Sequence, residues 1–213
     1  MTQRVGIFGT GGMATEARDV AEAMGLEVLF IAHDQAEAQT LRGAGAEVVL
    51  EAEIGDLPRI GYAIAVGEGA VRRKIATRYD GKLEFVNLIH PSATFGRRQR
   101  EQIESRQGVI VCAGVRFTSD IVVGDFTIFN VNATVHHGCV IGDFVTVSPL
   151  ACVLGNIEVH SGAWIGAGAV INQGTGDAKR VIGQDTVIGS GTVVLRDCEA
   201  GAVYVGVPAR KIK

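Results

Sequence analysis

Two adjacent histidines, His136 and His137, stand in the second half of a chain of 213 residues. An imidazole titrates near pH 6.5 (roughly), so either can take up a proton during group transfer at cytosolic pH. A second constellation, Gly9-Thr10-Gly11-Gly12-Met13-Ala14, follows the apolar run Val5-Gly6-Ile7-Phe8 and opens a helical pattern. Strand, glycine turn and helix form the context in which helix N–H groups hold a pyrophosphate. Two further polar pairs, His33-Asp34 and Gly67-Glu68, end predicted strands of the same half. The cysteines Cys112, Cys139, Cys152 and Cys198 form no CxxC pair and no zinc-like spacing with the histidines, so reduced thiols and no metal are expected.

The elements that must position these residues alternate through the first part of the chain. After Val5–Phe8, residues 14–24 fit a helix with Ala17, Val20, Ala21 and Met24 on one face. Strands follow at 28–31, 47–50 and 63–66, with helical stretches at 36–42 and 70–79. Such alternation predicts a small parallel α/β domain, Rossmann-like, over residues 1–88. That is too small for two mononucleotide halves, which argues against a dinucleotide cofactor. Arg72, Arg73 and Lys74 are expected either as solvated helix charges or as a source of a diphosphate contact.

The rest keeps another period. Large apolar residues recur every six positions at Val111, Phe117, Val123, Phe129, Val135, Ile141, Val147, Val153, Val159, Ile165 and Ile171. A mostly smaller residue stands two positions before each, as at Ala133, Cys139, Ala151 and Ala163. A period of 3.6 cannot keep positions six apart on one face. A parallel β-helix can: each hexad forms one side of a triangular prism, and the large residue fills its interior. The 29 glycines, about twice the usual share, include Gly124, Gly142, Gly166, Gly183 and Gly189 at predicted corners, where a side chain would clash or φ must be positive. Asp125, Asp143 and Asp185 follow three of them as turn residues. The phase slips once, between Ile171 and Ile182, which predicts an outward loop of five extra residues within Gln173–Arg180. The Arg- and Gln-rich stretch 97–107 reads as a loop or partial coil, and the strict register starts near residue 110 of a domain assigned to 89–213.

This repeat, with the ending Gly206-Val207-Pro208-Ala209-Arg210-Lys211, resembles the left-handed parallel β-helix acyltransferases. The whole chain resembles the branch with a Rossmann-like domain in front: sugar acetyltransferases that acetylate nucleotide-linked 4-amino-sugars, with relatives assigned to sialic acid O-acetylation. The resemblance implies a left-handed coil, acetyl-CoA as co-substrate, and a homotrimer with active sites between neighbouring β-helices. In Val135-His136-His137-Gly138-Cys139-Val140-Ile141-Gly142-Asp143 the family's histidine falls on His137, which becomes the expected general base. No covalent enzyme intermediate is needed, because a thioester is already activated. Gly138 stands where the family usually has an acidic residue, so Asn130 or Asn132 is a candidate hydrogen-bond partner instead. Leu150 in Ser148-Pro149-Leu150 replaces a family glycine.

By the same resemblance, acetyl-CoA is expected along Gly155, Gly166, Ala167 and Gly168, with the tail from Pro208 to Lys211 near the adenosine phosphates. A backbone N–H near Gly155 would receive the oxyanion. Trp164, just before an interior position, is expected to face outward as a subunit or cofactor contact or as an ordinary surface aromatic. The turn Gly9, Gly11, Gly12 and Met13 would hold the nucleotide-sugar diphosphate, His33 and Asp34 the base or ribose, and Gly67 and Glu68 would complete the pocket. Met13 replaces a family histidine. The leading expectation is an N-acetyltransferase for a UDP- or GDP-linked 4-amino-4,6-dideoxy sugar; the rivals are a sialic acid O-acetyltransferase and a noncatalytic nucleotide-binding scaffold. A net charge of -3 gives no bulk attraction to nucleic acid, and no apolar run reaches membrane-spanning length, so a cytoplasmic protein is expected.

Overall fold

The computed structural model describes residues 3–176 and 178–213. Five parallel strands come first: β1 (Arg4–Phe8), β2 (Glu27–Ala32), β3 (Val48–Leu50), β4 (Gly61–Ile64) and β5 (Glu84–Phe85), in the order β3-β2-β1-β4-β5. Helices α1 (Gly12–Ala23), α2 (Gln35–Gly43) and α3 (Gly69–Arg78) connect them. Val5, Ile7 and Phe30 pack with Ala17, Val20 and Ala21 of α1, while Leu29, Ile31 and Ile64 pack with Ala76 of α3. Both faces of the sheet are therefore covered, which is why its strands read as unbroken apolar runs. Strand order reverses between β1 and β4, and the crevice at their C-terminal ends is where this architecture binds ligands. A 3₁₀ helix at Glu51–Asp56 and the two-residue strand β5 have no periodic signal in the sequence.

The chain then coils into three walls. Wall A takes the strands at Leu88–Ile89, Ile110–Val111, Ile128–Phe129, Thr146–Val147, Trp164–Ile165, Val187–Ile188 and Val203–Val205, closed by an antiparallel strand at Arg210–Lys211. Wall B runs from Thr94–Phe95 through Thr134–Val135 and Val170–Ile171 to Val193–Val194, and wall C from Val122–Val123 to Arg180–Ile182. The predicted interior residues, from Val111 to Ile171, are all 3% exposed or less. Stacked coils are 18 residues apart, as in Thr146 against Trp164, until Trp164 pairs with Val187, 23 residues on. The extra five residues confirm the predicted slip; Asp177 within that loop lies outside the described residues.

The first coil begins earlier than the strict register. Leu88 pairs with Ile110 and Thr94 with Arg116, an interval of 22 residues. The polar stretch in between contains a short helix, α4 (Gln99–Glu104), in place of the third strand of that coil. Gln99 exchanges hydrogen bonds with the N–H and C=O of Ile121 (3.0 and 2.5 Å), and Gln102 does so with Val123 (both 3.2 Å). Their amides replace a strand and satisfy the open edge of wall C, so the segment carries no hexad pattern. At the corners, steric closeness rather than a positive φ demands glycine: a Cβ at Gly124 would lie 2.6 Å from the Asp143 nitrogen, and one at Gly142 2.7 Å from that of Ser161. The left-handed backbone falls two residues later, at Phe126, Phe144 and Asp185 (φ 54–58°).

The small domain lies across wall A. Arg72, expected either as a solvated charge or as a diphosphate contact, is 0% exposed and donates to five carbonyls, those of Val66, Gly67, Phe126, Phe144 and Val145, at 2.7–3.0 Å. Burial pulls its guanidinium down to about 9, still cationic at neutral pH. Arg73 lies over the Phe144 ring and 4.0 Å from Asp185. Trp164 packs on Gly67 and donates to Ser148 Oγ at 3.0 Å, so it serves the seam within the chain. Among the described residues no helix is long and apolar enough to cross a membrane.

Candidate active site

His137 stands at the corner between walls B and C, exposed, with its ring lying on Gly155. A Cβ at Gly155 would sit 2.5 Å from Cε1 and 2.6 Å from Nε2, so glycine there is the condition for this imidazole position. The His137 carbonyl accepts from the Asn156 N–H at 2.8 Å, and the Gly138 N–H donates to the Ser119 carbonyl at 3.2 Å. Gly138 has φ +69°, the left-handed corner position of its hexad. The Gly138 carbonyl accepts from the Lys179 ammonium, which also donates to Asn156 Oδ1 at 3.3 Å. His136 has a different neighbour, Cys152 Sγ at 3.9 Å from its Nε2. Lys179 was not singled out from the sequence; the phase slip that makes its loop was the only signal.

Asn130 lies one corner earlier, between walls A and B, and makes no hydrogen bond to His137 among the described residues. Its Nδ2 faces Glu16 Oε2 of α1 at 3.5 Å, while its buried Oδ1 has no partner. Gly166, Ala167 and Gly168 share that A/B corner, whereas Gly155 belongs to the B/C corner. Within one chain, then, the predicted cofactor glycines fall on two edges of the prism. Lys211 is engaged by Glu199, whose carboxylate is 2.6 Å from Nζ; that hydrogen bond holds the ammonium above its ordinary range. Two cavities of about 290 and 310 Å³ share Leu195, Arg196 and Asp197, one reaching Lys179 and the other Arg210 and Lys211.

The crevice of the small domain gathers the other predicted residues at three strand ends. Gly9 has φ +122°, and a Cβ there would meet the Ala65 carbonyl oxygen at 2.7 Å. Gly11 is the N-cap of α1 without a side-chain cap, no acidic residue occupies the first turn, and space is open around Gly11 and Gly12. The positive end of the helix is left for an anion. Met13 instead packs against the core. Asp34 is occupied as the N-cap of α2, accepting from the Glu37 N–H at 2.9 Å. His33 pairs with Glu51 (Nδ1 to Oε2, 2.9 Å), and that hydrogen bond raises its pKa. Burial pushes Glu51 up, but hydrogen bonds from His33, Tyr79 and Arg78 outweigh it and leave the carboxylate lowered. The Gly67 carbonyl is taken by Arg72 (2.8 Å) and Thr146 (2.7 Å), so Gly67 belongs to the seam; Glu68 is exposed and offers its carbonyl to the start of α3.

Burial pushes the Cys112 thiol up to about 12 and that of Cys198 to about 11, and raises Cys139, whose Sγ donates to the Leu154 carbonyl at 3.0 Å. No group of three His, Cys, Asp or Glu that could hold a metal occurs among the described residues.

Residues 4–79 match the family model described as the PglD N-terminal domain. The chain is 38% identical over 154 residues to a GDP-perosamine N-acetyltransferase of Escherichia coli O157:H7, spanning 71% of this chain and 67% of that protein. The chain belongs to the hexapeptide-repeat nucleotide-sugar N-acetyltransferases. As in that family, a Rossmann-like domain precedes a left-handed β-helix and the reaction depends on acetyl-CoA. Among solved members, a His→Asn variant of perosamine N-acetyltransferase from Caulobacter crescentus, in complex with CoA and GDP-perosamine, superimposes with a TM-score of 0.85 at 28% identity, covering 100% of this chain and 98% of that one. The acetyltransferase domain of PglB from Neisseria gonorrhoeae FA1090, in complex with acetyl coenzyme A, gives 0.82 at 25% identity, with both chains covered completely.

Proposed function

We propose that this acetyltransferase moves the acetyl group of acetyl-CoA to the amino group of a GDP-linked 4-amino-4,6-dideoxy sugar, with His137 as general base. The observation that carries the role of His137 is its ring on Gly155: an exposed imidazole fixed on a side-chain-free floor can receive a proton from an amine above it. Bound acetyl-CoA supplies the activated carbonyl. His137 takes the proton as the amine nitrogen bonds to that carbonyl carbon, and the proton then leaves with the departing sulfur. The N–H of Gly155 makes no backbone hydrogen bond among the described residues and is the oxyanion donor in this reading. The residues present fit the co-substrate: from Gly155, the B/C corner leads in two coil steps, about 10 Å, to Arg196 and on to the tail. Arg196 and Arg210 are exposed cations for its phosphates, whereas Lys211 is partly neutralised by Glu199.

The diphosphate of the sugar nucleotide is assigned to the N-terminus of α1 at Gly11 and Gly12, with His33 beside the nucleoside. Its guanine follows the Escherichia coli and Caulobacter crescentus relatives, whose names carry GDP-perosamine, and their transfer to nitrogen sets the sialic acid O-acetyl reading aside. This crevice lies over wall A, near the A/B corner of Asn130, whereas His137 is at the B/C corner. A second copy that set its A/B corner against the B/C corner of the first would bring Asn130, Gly12 and Gly166–Gly168 to His137. A homotrimer with sites between subunits is the assembly this reading calls for, and a cytoplasmic location belongs to the same reading. The test is thiol release from acetyl-CoA across UDP- and GDP-linked 4-amino-sugars with the wild type and His137→Ala. Release only with the GDP-linked sugars and only with His137 present is expected. Undiminished release by His137→Ala would remove it as the base, and release with free sialic acid alone would overturn the acceptor.

A further inference from the structure

The five-residue insertion falls next to the base, between the strands Val170–Ile171 of wall B and Arg180–Ile182 of wall C. Its residues do not project freely. Asn156 Nδ2 donates to the carbonyls of Gly176 (3.3 Å) and Ala178 (3.1 Å), and the Arg180 N–H donates to the Asn156 carbonyl (3.1 Å). Arg180 itself donates from Nε to the Asn172 carbonyl at 2.7 Å and from Nη2 to that of Gln173 at 2.9 Å. The Gly174 N–H donates to the Gly155 carbonyl at 3.1 Å. The loop is thus folded back over the corner that carries His137, Gly138, Gly155 and Asn156, and it delivers half-buried Lys179 to the Gly138 carbonyl.

That carbonyl is worth holding. The peptide joining His137 to Gly138 is tied at both ends, by the Asn156 N–H and the Ser119 carbonyl, whereas the next peptide, joining Gly138 to Cys139, follows a glycine that can populate several backbone states, and its swing would shift the corner that carries the imidazole. The Gly138 N–H is tied to Ser119, but its carbonyl has no ladder partner in a neighbouring coil among the described residues. A charge-assisted hydrogen bond from an ammonium closes that freedom. The sequence offers no carboxylate at position 138 to orient the ring from its own side chain.

We infer that Lys179 is a positioning residue for His137, and that the inserted loop exists in this chain to pin the Gly138 peptide beneath the base. The inference rests on His137 being the base, and the experiment separates the two. Lys179→Met, Lys179→Arg and His137→Ala are compared with the wild type for kcat, both KM values and Tm, with acetyl-CoA and the GDP-linked amino sugar. The expected result for Lys179→Met is a kcat lower by about 10- to 100-fold, the size of effect a misplacement near 1 Å produces, with both KM values within about twofold. Tm should stay within about 2 °C, and Lys179→Arg should regain most of the kcat, since a guanidinium can donate to the same carbonyl. Wild-type kcat in Lys179→Met, with His137→Ala inactive, would overturn the positioning role and leave the base intact. A loss expressed mainly in KM for acetyl-CoA would also overturn it, by making Lys179 an anion contact. A Tm loss that Arg does not repair would reduce it to a fold strap. Full activity of His137→Ala would instead sink the reading on which the inference stands.

Discussion

At the scale of single residues, the site depends on what is missing from Gly155 as much as on the imidazole above it. Gly155→Ala should displace the ring, because its methyl would come within 2.5 Å of Cε1. The expected outcome is a kcat reduced toward that of His137→Ala, about 100-fold or more, with Tm little changed; normal turnover in a thiol-release assay would mean that the ring is not held there. His33 supplies a pH prediction. Its folded pKa is raised by the hydrogen bond it donates to Glu51, so its contribution to stability is complete below about 6.5 and is lost as pH rises through the folded value. An NMR titration should place the His33 midpoint above that ordinary value, and Glu51→Gln should return it. His137 was singled out by resemblance, as the histidine at the family's position in its hexad, and the structure sets its ring on Gly155. Lys179 was not legible in the sequence, since a cation in an irregular loop looks the same whether it meets solvent or a carbonyl 41 residues away.

Elements explain why the seam was harder to read than the walls. A hexad announces itself because one large residue per side must fill the prism, and eleven successive sides did so in phase. Helix α3 carries Arg72-Arg73-Lys74, and charge on a helix ordinarily means solvent; here Arg72 instead satisfies carbonyls that the left-handed corners at Phe126 and Phe144 turn outward. Arg72→Met should therefore destabilise the chain by about 3 kcal/mol or more, since several buried carbonyls lose their donor together; urea unfolding measures this, and a loss under about 1 kcal/mol would refute the latch. Helix α4 was misread for a related reason. Its glutamines do a strand's hydrogen bonding with side chains, and side-chain amides leave no period.

For the whole molecule, the proposed division of the site between the corners of two subunits makes a prediction that no single-chain change can. Chains bearing His137→Ala and chains bearing Gly12→Asp should each be inactive, the second because a carboxylate then occupies the anion end of α1. Mixed by refolding or co-expression, they should recover activity, because an assembly containing both keeps a site with an intact base and an intact turn. No recovery in a mixture shown by mass to contain both chains would place the whole site within one chain. Sedimentation should give a mass three times that of the chain. The repeat predicts the prism, but which corners would meet depends on surfaces that a repeat leaves unspecified.

The buried thiols carry a practical and chemical corollary. An enzyme that discharges a free thiol at every turnover invites mixed disulfides with its own cysteines, and thiolate is the form that reacts. Cys112, Cys139 and Cys198 are buried and held toward the protonated form, which leaves only the half-exposed Cys152 within reach of product. The catalyst is built to be inert toward its own leaving group, and a colorimetric thiol reagent added to the native protein should titrate at most one sulfhydryl per chain.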